Sequence, residues 1–479
     1  MDKASLNSYQ NPLVTRYGSS AMSAIFSDQF KILTWRRLWL ALAESQAQLN
    51  LPIKQNQLNQ MRKSLEDIDF KRAARYEKKF RHDVMAHIHT FADAAPAARP
   101  IIHLGATSAF VVDNTDLIQM RKALELIQGR LYHLIDLLSR FAHRRRNLAT
   151  LGYTHFQPAQ LTTVGKRATL WCYDFVMDSH DIHYRLDSLH FRGVKGTTGT
   201  QASFLKLFDG NAKKVARLEK RVTAKMDFKE VVPVTGQTYS RKVDANIVST
   251  LGSIAQSAHK FCNDLRLLSH LKQIEEPFEK KQIGSSAMPY KQNPMRCERA
   301  TSLARYVLSL TTSPAMTASE QWFERTLDDS ANKRMSIPES FLAVDGILVI
   351  LADVIDGMVV HPKVISQAIA AELPFIATEN ILMAAVRSGG DRQKLHETIR
   401  KHSVAAAKQV KELGKKNDLI PRLKADPLFT KIDFANLLKP KDYIGLAPQQ
   451  VEAFLQDVIK PYKQKFKKYA RVETEKLRV

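Results

Sequence analysis

Apolar residues recur in steps of three and four over three long stretches of this chain. One stripe, between Arg121 and Arg144, runs through Leu124, Ile127, Leu131, Leu134, Leu138 and Phe141. A second passes through Ile247, Leu251, Ile254, Ala258, Phe261, Leu265 and Leu268, and a third through Ile337, Phe341, Val344, Leu348, Leu351, Ile355 and Met358. This spacing keeps one face of a 3.6-residue helix apolar. Read as free of internal proline, the stripes predict long helices packed at shallow angles. Gly129, Gly252 and Gly346 weaken them slightly and let a neighbouring segment approach closely. Short strands are expected around 228–234, where β-branched residues concentrate.

The stripes also set the organisation. Residues 1–111 mix shorter helices with Pro96 and Pro100, and residues 112–362 hold the long helices. Residues 363–479, with Pro374, Pro421, Pro427 and Pro440, form a C-terminal helical part. The expected fold is all-α, three domains built on a long central helical bundle. A length of 479 residues allows about three domains, and 44% hydrophobic content with only 18 Gly and 18 Pro suits a helix-rich core.

Charge changes the picture more than composition does. The formal net charge is +24, with basic clusters at 71–81, at Arg144 to Arg146 and along 463–478. Such a footprint fits nucleic acid or an enzyme that steers a small polyanion. The clusters lie in helix-periodic segments with little aromatic interleaving, which favours solvated helix faces and a small anionic ligand over nucleic acid. A basic helical RNA-binding protein stays as the alternative, distinguished by a steep salt dependence of RNA affinity. Cys172, Cys262 and Cys297 show neither a disulfide framework nor zinc spacing, so buried thiols in a reducing compartment are expected. The chain opens on polar residues, and no apolar run approaches the roughly 18 residues of a membrane span. A soluble cytoplasmic protein without a membrane partner is the expectation.

The chemistry concentrates in eleven residues, Gly284-Ser285-Ser286-Ala287-Met288-Pro289-Tyr290-Lys291-Gln292-Asn293-Pro294. A Gly-Ser-Ser turn is joined to a lysine and an asparagine, and two prolines keep the stretch out of regular helix. A polar linker has a similar composition. A loop that closes on an anionic substrate would use the same groups to exclude water and to place a proton-transfer residue beside cationic stabilisers. Thr154-His155-Phe156-Gln157-Pro158-Ala159-Gln160 puts a second proton-transfer candidate, His155, at a junction between helical segments. In Arg81-His82-Asp83-Val84-Met85-Ala86-His87-Ile88-His89 the histidine steps of five and two do not match a helical zinc site, so no metal is assigned.

The eleven-residue string resembles the signature of the fumarase/aspartase superfamily, and its Ala-Met-Pro-Tyr-Lys core looks most like the adenylosuccinate lyase branch. Gln292 stands where the animal enzymes usually carry arginine. The resemblance spans nearly the whole chain and implies elimination of fumarate from a succinylated purine nucleotide or its ribotide precursor, with no cofactor. Another fumarate-releasing lyase, such as an argininosuccinate lyase, is the nearest alternative.

The resemblance also implies roles. Ser285 is the base, with Ser286 its alternative, and His155 is the acid that protonates the leaving nitrogen, with Thr154 beside it. Lys291 and Asn293 stabilise the carbanion. His82 helps to orient the acid, Arg81 and Asp83 contact substrate, and His87 and His89 could equally be packing residues. Arg16, Tyr17, Arg325, Ser330 and Arg334 engage the nucleotide with Arg299 nearby, while Thr107, Ser108 and Gln237 hold the succinyl carboxylates. A homotetramer is implied in which the long helices of four subunits merge and each active site is composite.

Overall fold

A computed structural model describes residues 7–470; the last part of the basic 463–478 tail, from 471 onward, lies outside the described residues. Ten elements position the site. They are α1 (Asp28–Ala47), α2 (Asp83–Ala94), α3 (Ser108–Arg144), the hairpin β1 (Ala149–Thr154) and β2 (Gln157–Thr163), α4 (Val164–Ser188), α5 (Lys242–His270), α6 (Met295–Leu310), α7 (Asp329–Gly357) and α8 (Pro362–Ile376). The architecture is all-α. Helices α3, α4, α5, α6 and α7 pack side by side into the bundle.

Every stripe position on α3, α5 and α7 is buried except Met358, which is partly buried against the same core. Burying large aliphatic side chains stabilises by about 1.5–3 kcal/mol each, so this interface holds the fold together. Gly252 and Gly346 permit the close approaches expected of them: a Cβ at Gly252 would lie 2.7 Å from Thr311 Cγ2, and one at Gly346 would lie 2.8 Å from the Tyr17 carbonyl oxygen. A smaller second core, including Ile381, Leu395, Leu419 and Phe429, gathers residues 377–434.

Two expectations are corrected. Pro338 lies inside the third stripe, and α7 continues through it. Proline removes the N–H that would bond the carbonyl of Arg334, yet packing on both sides keeps the helix going. Around 228–234 there is no named strand, only an isolated bridge between Phe191 and Val231. β-Branched residues there find no partner strand, and propensity alone does not make a sheet. The principal hairpin forms instead at β1–β2.

No single helix among the described residues is long and apolar enough to cross a membrane; α8 with Thr378–Arg387 passes only as a pair bent by 48°. All three cysteines are buried and free. Burial pushes the Cys172 thiol up, and a hydrogen bond to Cys262 together with burial does the same to Cys297.

Two histidines under the N-terminal helices give the fold an acid sensitivity. His103 Nδ1 accepts from Trp39 Nε1 at 2.8 Å, and His87 packs edge-on against Trp35 with ring centroids 5.6 Å apart. Burial first, then neighbouring positive groups, lowers each to about 4. The folded state therefore binds fewer protons than the unfolded chain between about pH 4 and 6.5, and stability falls as pH drops through that window. Burial raises Asp178 and Asp244 to about 6, which acts in the opposite direction. His103→Gln keeps an acceptor for Trp39 and removes one proton site. Urea unfolding at pH 7 and pH 4.5 is expected to show a smaller loss of stability in the variant than in the wild type; an equal loss would remove His103 as a source.

Candidate active site

At the end of the bundle where α3 and α7 begin, polar side chains from four segments meet. Thr107 is the N-cap residue of α3, and its Oγ1 accepts from Gln237 Nε2 at 3.1 Å. Gln237 Oε1 in turn accepts from Arg325 Nη1 at 2.7 Å. His82 caps α2, with Nδ1 accepting the Met85 N–H at 3.4 Å, so the proton belongs on Nε2, which lies 3.3 Å from Ser108 Oγ. Arg81 takes a left-handed conformation (φ 54°) that turns the chain sharply from the preceding helix into His82. Asp83 Oδ2 pairs with Arg334 Nη2 at 3.1 Å, and Ser330 sits one turn earlier on α7. Beside Arg334 opens a cleft of about 270 Å³ lined by Phe26, Lys31, Asp116 and Lys333.

Arg16 and Tyr17 lie further along α7. Ser19 N donates to Asp345 Oδ2 at 2.7 Å and Asn11 Nδ2 to Glu339 Oε1 at 3.0 Å, so the N-terminal segment runs against this helix beyond Arg334, with Arg16 exposed. His87 and His89 belong to packing: His87 sits between Trp35 and Phe70, and His89 stacks on Phe80 at 4.8 Å.

A buried ionic lattice fixes this end. Arg241 Nε donates to Asp329 Oδ2 at 2.6 Å and Nη2 to Asp113 Oδ1 at 3.0 Å. Lys333 Nζ bonds Asp116 Oδ2 at 2.6 Å, and Tyr239 OH donates to Asp244 Oδ1 at 2.7 Å. The lattice ties the starts of α3, α5 and α7 together. Burial raises the Asp113 carboxyl, but Arg241, Lys333 and Arg192 outweigh it and hold it below the usual range. Removing one partner from such a lattice leaves a buried charge uncompensated, so its geometry is strongly enforced.

The remaining candidates lie at the other end of the bundle. His155 and Phe156 are the two turn residues of the β1–β2 hairpin, with φ 52° and 56°; both are left-handed, as a tight two-residue hairpin requires. Such a conformation is unfavourable for a bulky residue and holds His155 out at an exposed tip next to Thr154. Arg167 Nη2 bonds the Leu151 carbonyl at 2.6 Å and anchors the hairpin. The signature loop follows α5 and clasps itself: Asn293 Nδ2 donates to the Gly284 carbonyl at 2.7 Å, and Met288 N to Ser285 Oγ at 3.1 Å. Ser286 and Lys291 are exposed and Ser285 is half-buried. The stem of the loop is rigid. Glu276 accepts from the N–H groups of Arg296 and Cys297 at 3.0 and 2.9 Å, capping α6, and Arg296 Nη1 bonds the Pro277 carbonyl at 2.6 Å. Arg299 follows, half-buried, on α6. Gln273 Nε2 lies 3.4 Å from Tyr153 OH, which brings the base of the loop beside the base of the hairpin.

The candidate residues thus fall into two groups at opposite ends of the bundle. Helix α3, with 37 residues, spans about 55 Å between Ser108 and the segment leading into the hairpin.

Residues 16–309 match the sequence model of the lyase family, and residues 374–454 match that of the adenylosuccinate lyase C-terminus. The chain is 52% identical to an adenylosuccinate lyase of Saccharomyces cerevisiae, over 99% of each protein. It is 52% identical to that of Schizosaccharomyces pombe over 94% of each, and 46% identical to that of Schistosoma mansoni over 95% of each. The chain belongs to the adenylosuccinate lyase family. Solved structures share the fold at lower identity. A 3-carboxy-cis,cis-muconate lactonizing enzyme from Pseudomonas putida aligns with TM-score 0.82 at 21% identity, covering 95% of this chain and 100% of its own. A fumarate lyase from Mesorhizobium sp. BNC1 aligns with TM-score 0.78 at 22% identity, covering 94% and 99%.

Membership in this family makes the split of the candidates informative. His82, Asp83, Thr107, Ser108, Gln237, Arg325, Ser330 and Arg334 converge at one end; Thr154, His155, Ser285, Lys291, Asn293 and Arg299 lie at the other. The sequence reading missed the groups that hold both sets: Arg192, Arg241, Asp113, Lys333, Glu276 and Arg296. Asp113 could have been found, because it falls on the buried face of α3 with Phe110 and Leu117, where a carboxylate needs a partner.

Proposed function

We propose that the chain catalyses β-elimination of fumarate from adenylosuccinate, giving AMP, and from the succinylated aminoimidazole carboxamide ribotide, giving the free carboxamide. The observation that carries this reading is the 52% identity to adenylosuccinate lyase over 99% of both chains. Ser285, with Ser286 as its alternative, removes a Cβ proton and His155 protonates the departing nitrogen. Lys291 and Asn293 stabilise the carbanion as its charge spreads into the neighbouring carboxylate; a unit-charge contact at 4 Å is worth about 4 kcal/mol at an effective dielectric near 20. Thr107, Ser108 and Gln237 bind carboxylate, His82 orients the acid, and Arg81 and Asp83 contact the substrate. Arg16, Tyr17, Arg325, Ser330 and Arg334 hold the nucleotide.

The same reading makes the protein a cytoplasmic homotetramer, divided near residues 111 and 362. An exposed apolar stripe on α4, formed by Leu170, Tyr173, Met177 and Tyr184 in steps of three, four and seven, supports packing against further copies. Closed symmetry then repeats one composite site around the assembly.

Fumarate release on addition of adenylosuccinate tests the reaction, and its absence from the full-length protein would defeat it. Arg334→Ala tests the phosphate assignment. Arginine binds phosphate through two parallel donors, so the variant is expected to weaken AMP inhibition about tenfold or more and leave fumarate inhibition nearly unchanged. Equal weakening of both ligands would point to a general defect instead.

A further inference from the structure

Arg192 is fully buried, and its guanidinium is directed at backbone carbonyls. Nε bonds the Gln237 oxygen at 2.9 Å, joined there by Nη2; Nη1 bonds the Gly193 oxygen at 3.1 Å and Nη2 the Gly196 oxygen at 3.1 Å. One cation therefore fixes the backbone of Gln237 and the start of a glycine-rich loop, Gly193-Val194-Lys195-Gly196-Thr197-Thr198-Gly199-Thr200-Gln201. Burying a guanidinium is costly unless its geometry is enforced, and other bonds enforce it. Asn114 exchanges two hydrogen bonds with Gly193, at 3.1 and 3.2 Å. Gln201 N closes the loop on the Lys195 carbonyl at 2.9 Å, and Lys195 pairs with Glu219 at 3.1 Å. Gly199 has φ +83°, and a Cβ there would fall 1.9 Å from the Thr235 carbonyl oxygen, so the loop lies directly on the segment that carries Gln237.

The base of this loop is buried from Gly193 to Gly196, while Thr197, Thr198 and Thr200 are exposed at its rim. Thr198 Oγ1 and Thr200 Oγ1 lie 3.4 Å apart. They contribute little to the core, yet they are carried on a loop whose base is tied down by Arg192, Asn114 and Lys195, beside the Thr107–Gln237–Arg325 chain. Neutral hydroxyls held in place are suited to an anion that already has cationic partners, because they add donors without adding charge. We propose that Thr198 and Thr200 are additional substrate-binding residues that donate to a carboxylate of the succinyl group, with Arg192 as the positioning residue that aligns their loop with Gln237. This inference rests on the proposed fumarate-releasing reaction.

The test uses the full-length enzyme carrying Thr198→Val and Thr200→Val together, with Thr198→Ser and Thr200→Ser as the conservative pair. Valine keeps the shape and removes the hydroxyls. Fumarate inhibition is expected to weaken by about ten- to hundredfold, the effect of hydrogen bonds to a charged group, while AMP inhibition stays within about twofold and the serine pair restores the wild-type value. Unchanged fumarate inhibition in the valine pair overturns the proposal. Equal weakening of fumarate and AMP, or failure of the serine pair to restore affinity at an unaltered thermal midpoint, overturns it as well, since either outcome makes the loop a structural element. Wild-type protein that releases no fumarate from adenylosuccinate removes the underlying reaction, an outcome visible before any variant is made.

Discussion

His155→Ala and Ser285→Ala are each expected to lose turnover by about 10²- to 10⁴-fold, the usual contribution of a positioned acid or base, while substrate still binds. Two features underlie this expectation. His155 is held in the left-handed turn of a two-residue hairpin, at an exposed tip. Ser285 sits in a loop clasped by Asn293 and anchored by Glu276 and Arg296, its hydroxyl accepts from Met288 N, and Ser286 through Lys291 are exposed. A hydroxyl is a weak base, and under the proposed reading a cation such as Lys291, carried on the same loop, would have to activate it. Single-turnover measurement separates the chemical step from binding. Near-normal turnover in Ser285→Ala would transfer the role to Ser286, and near-normal turnover in His155→Ala would leave the leaving nitrogen without its assigned acid.

The long helices were legible because burial repeats with the helical period: Leu124 to Phe141 and Ile247 to Leu268 read directly as buried faces. Pro338 was not legible this way, because it lies between the stripe positions Ile337 and Phe341 and leaves the apolar phase unbroken. The strand expectation at 228–234 failed for a different reason. Strand formation needs a partner, and sequence composition does not say which segment will lie alongside; Thr154 to Gln157 looked like a junction and proved to be a hairpin turn. Individual site residues were legible through the resemblance of contiguous segments, since Arg81-His82-Asp83 and the Gly284–Pro294 string each carry their own pattern. The lattice around Arg241 was not. Its members, Asp113, Asp244, Asp329 and Lys333, are scattered along the chain and meet only when three helices are brought into register. Arg192 is still less visible from sequence, because its partners are carbonyl oxygens that any residue could supply.

Mixing two impaired variants should restore activity. The half-site of Thr107, Gln237, Arg325 and Arg334 and the half-site of His155 stand at opposite ends of a helix about 55 Å long. A substrate carrying a succinyl group and a nucleotide phosphate cannot bridge that distance, and the proposed composite site would take these groups from different copies of the chain. The signature loop shares an end with the hairpin, and the composite reading assigns Ser285 and His155 of one site to different copies as well. In randomly mixed assemblies of two variants, each defective in one contributed group, about one quarter of the sites receive both wild-type groups. Combining His155→Ala with Arg334→Ala under conditions of subunit exchange, assayed at substrate well below KM where Arg334→Ala alone keeps about a tenth or less of the wild-type rate, is therefore expected to recover about a quarter of that rate. Combining His155→Ala with Ser285→Ala should do the same. Recovery in the first mixture without the second would place His155 and Ser285 in the same copy for any given site. Mixed assemblies that form, as shown by mass, and stay inactive in both experiments would rule out a shared site.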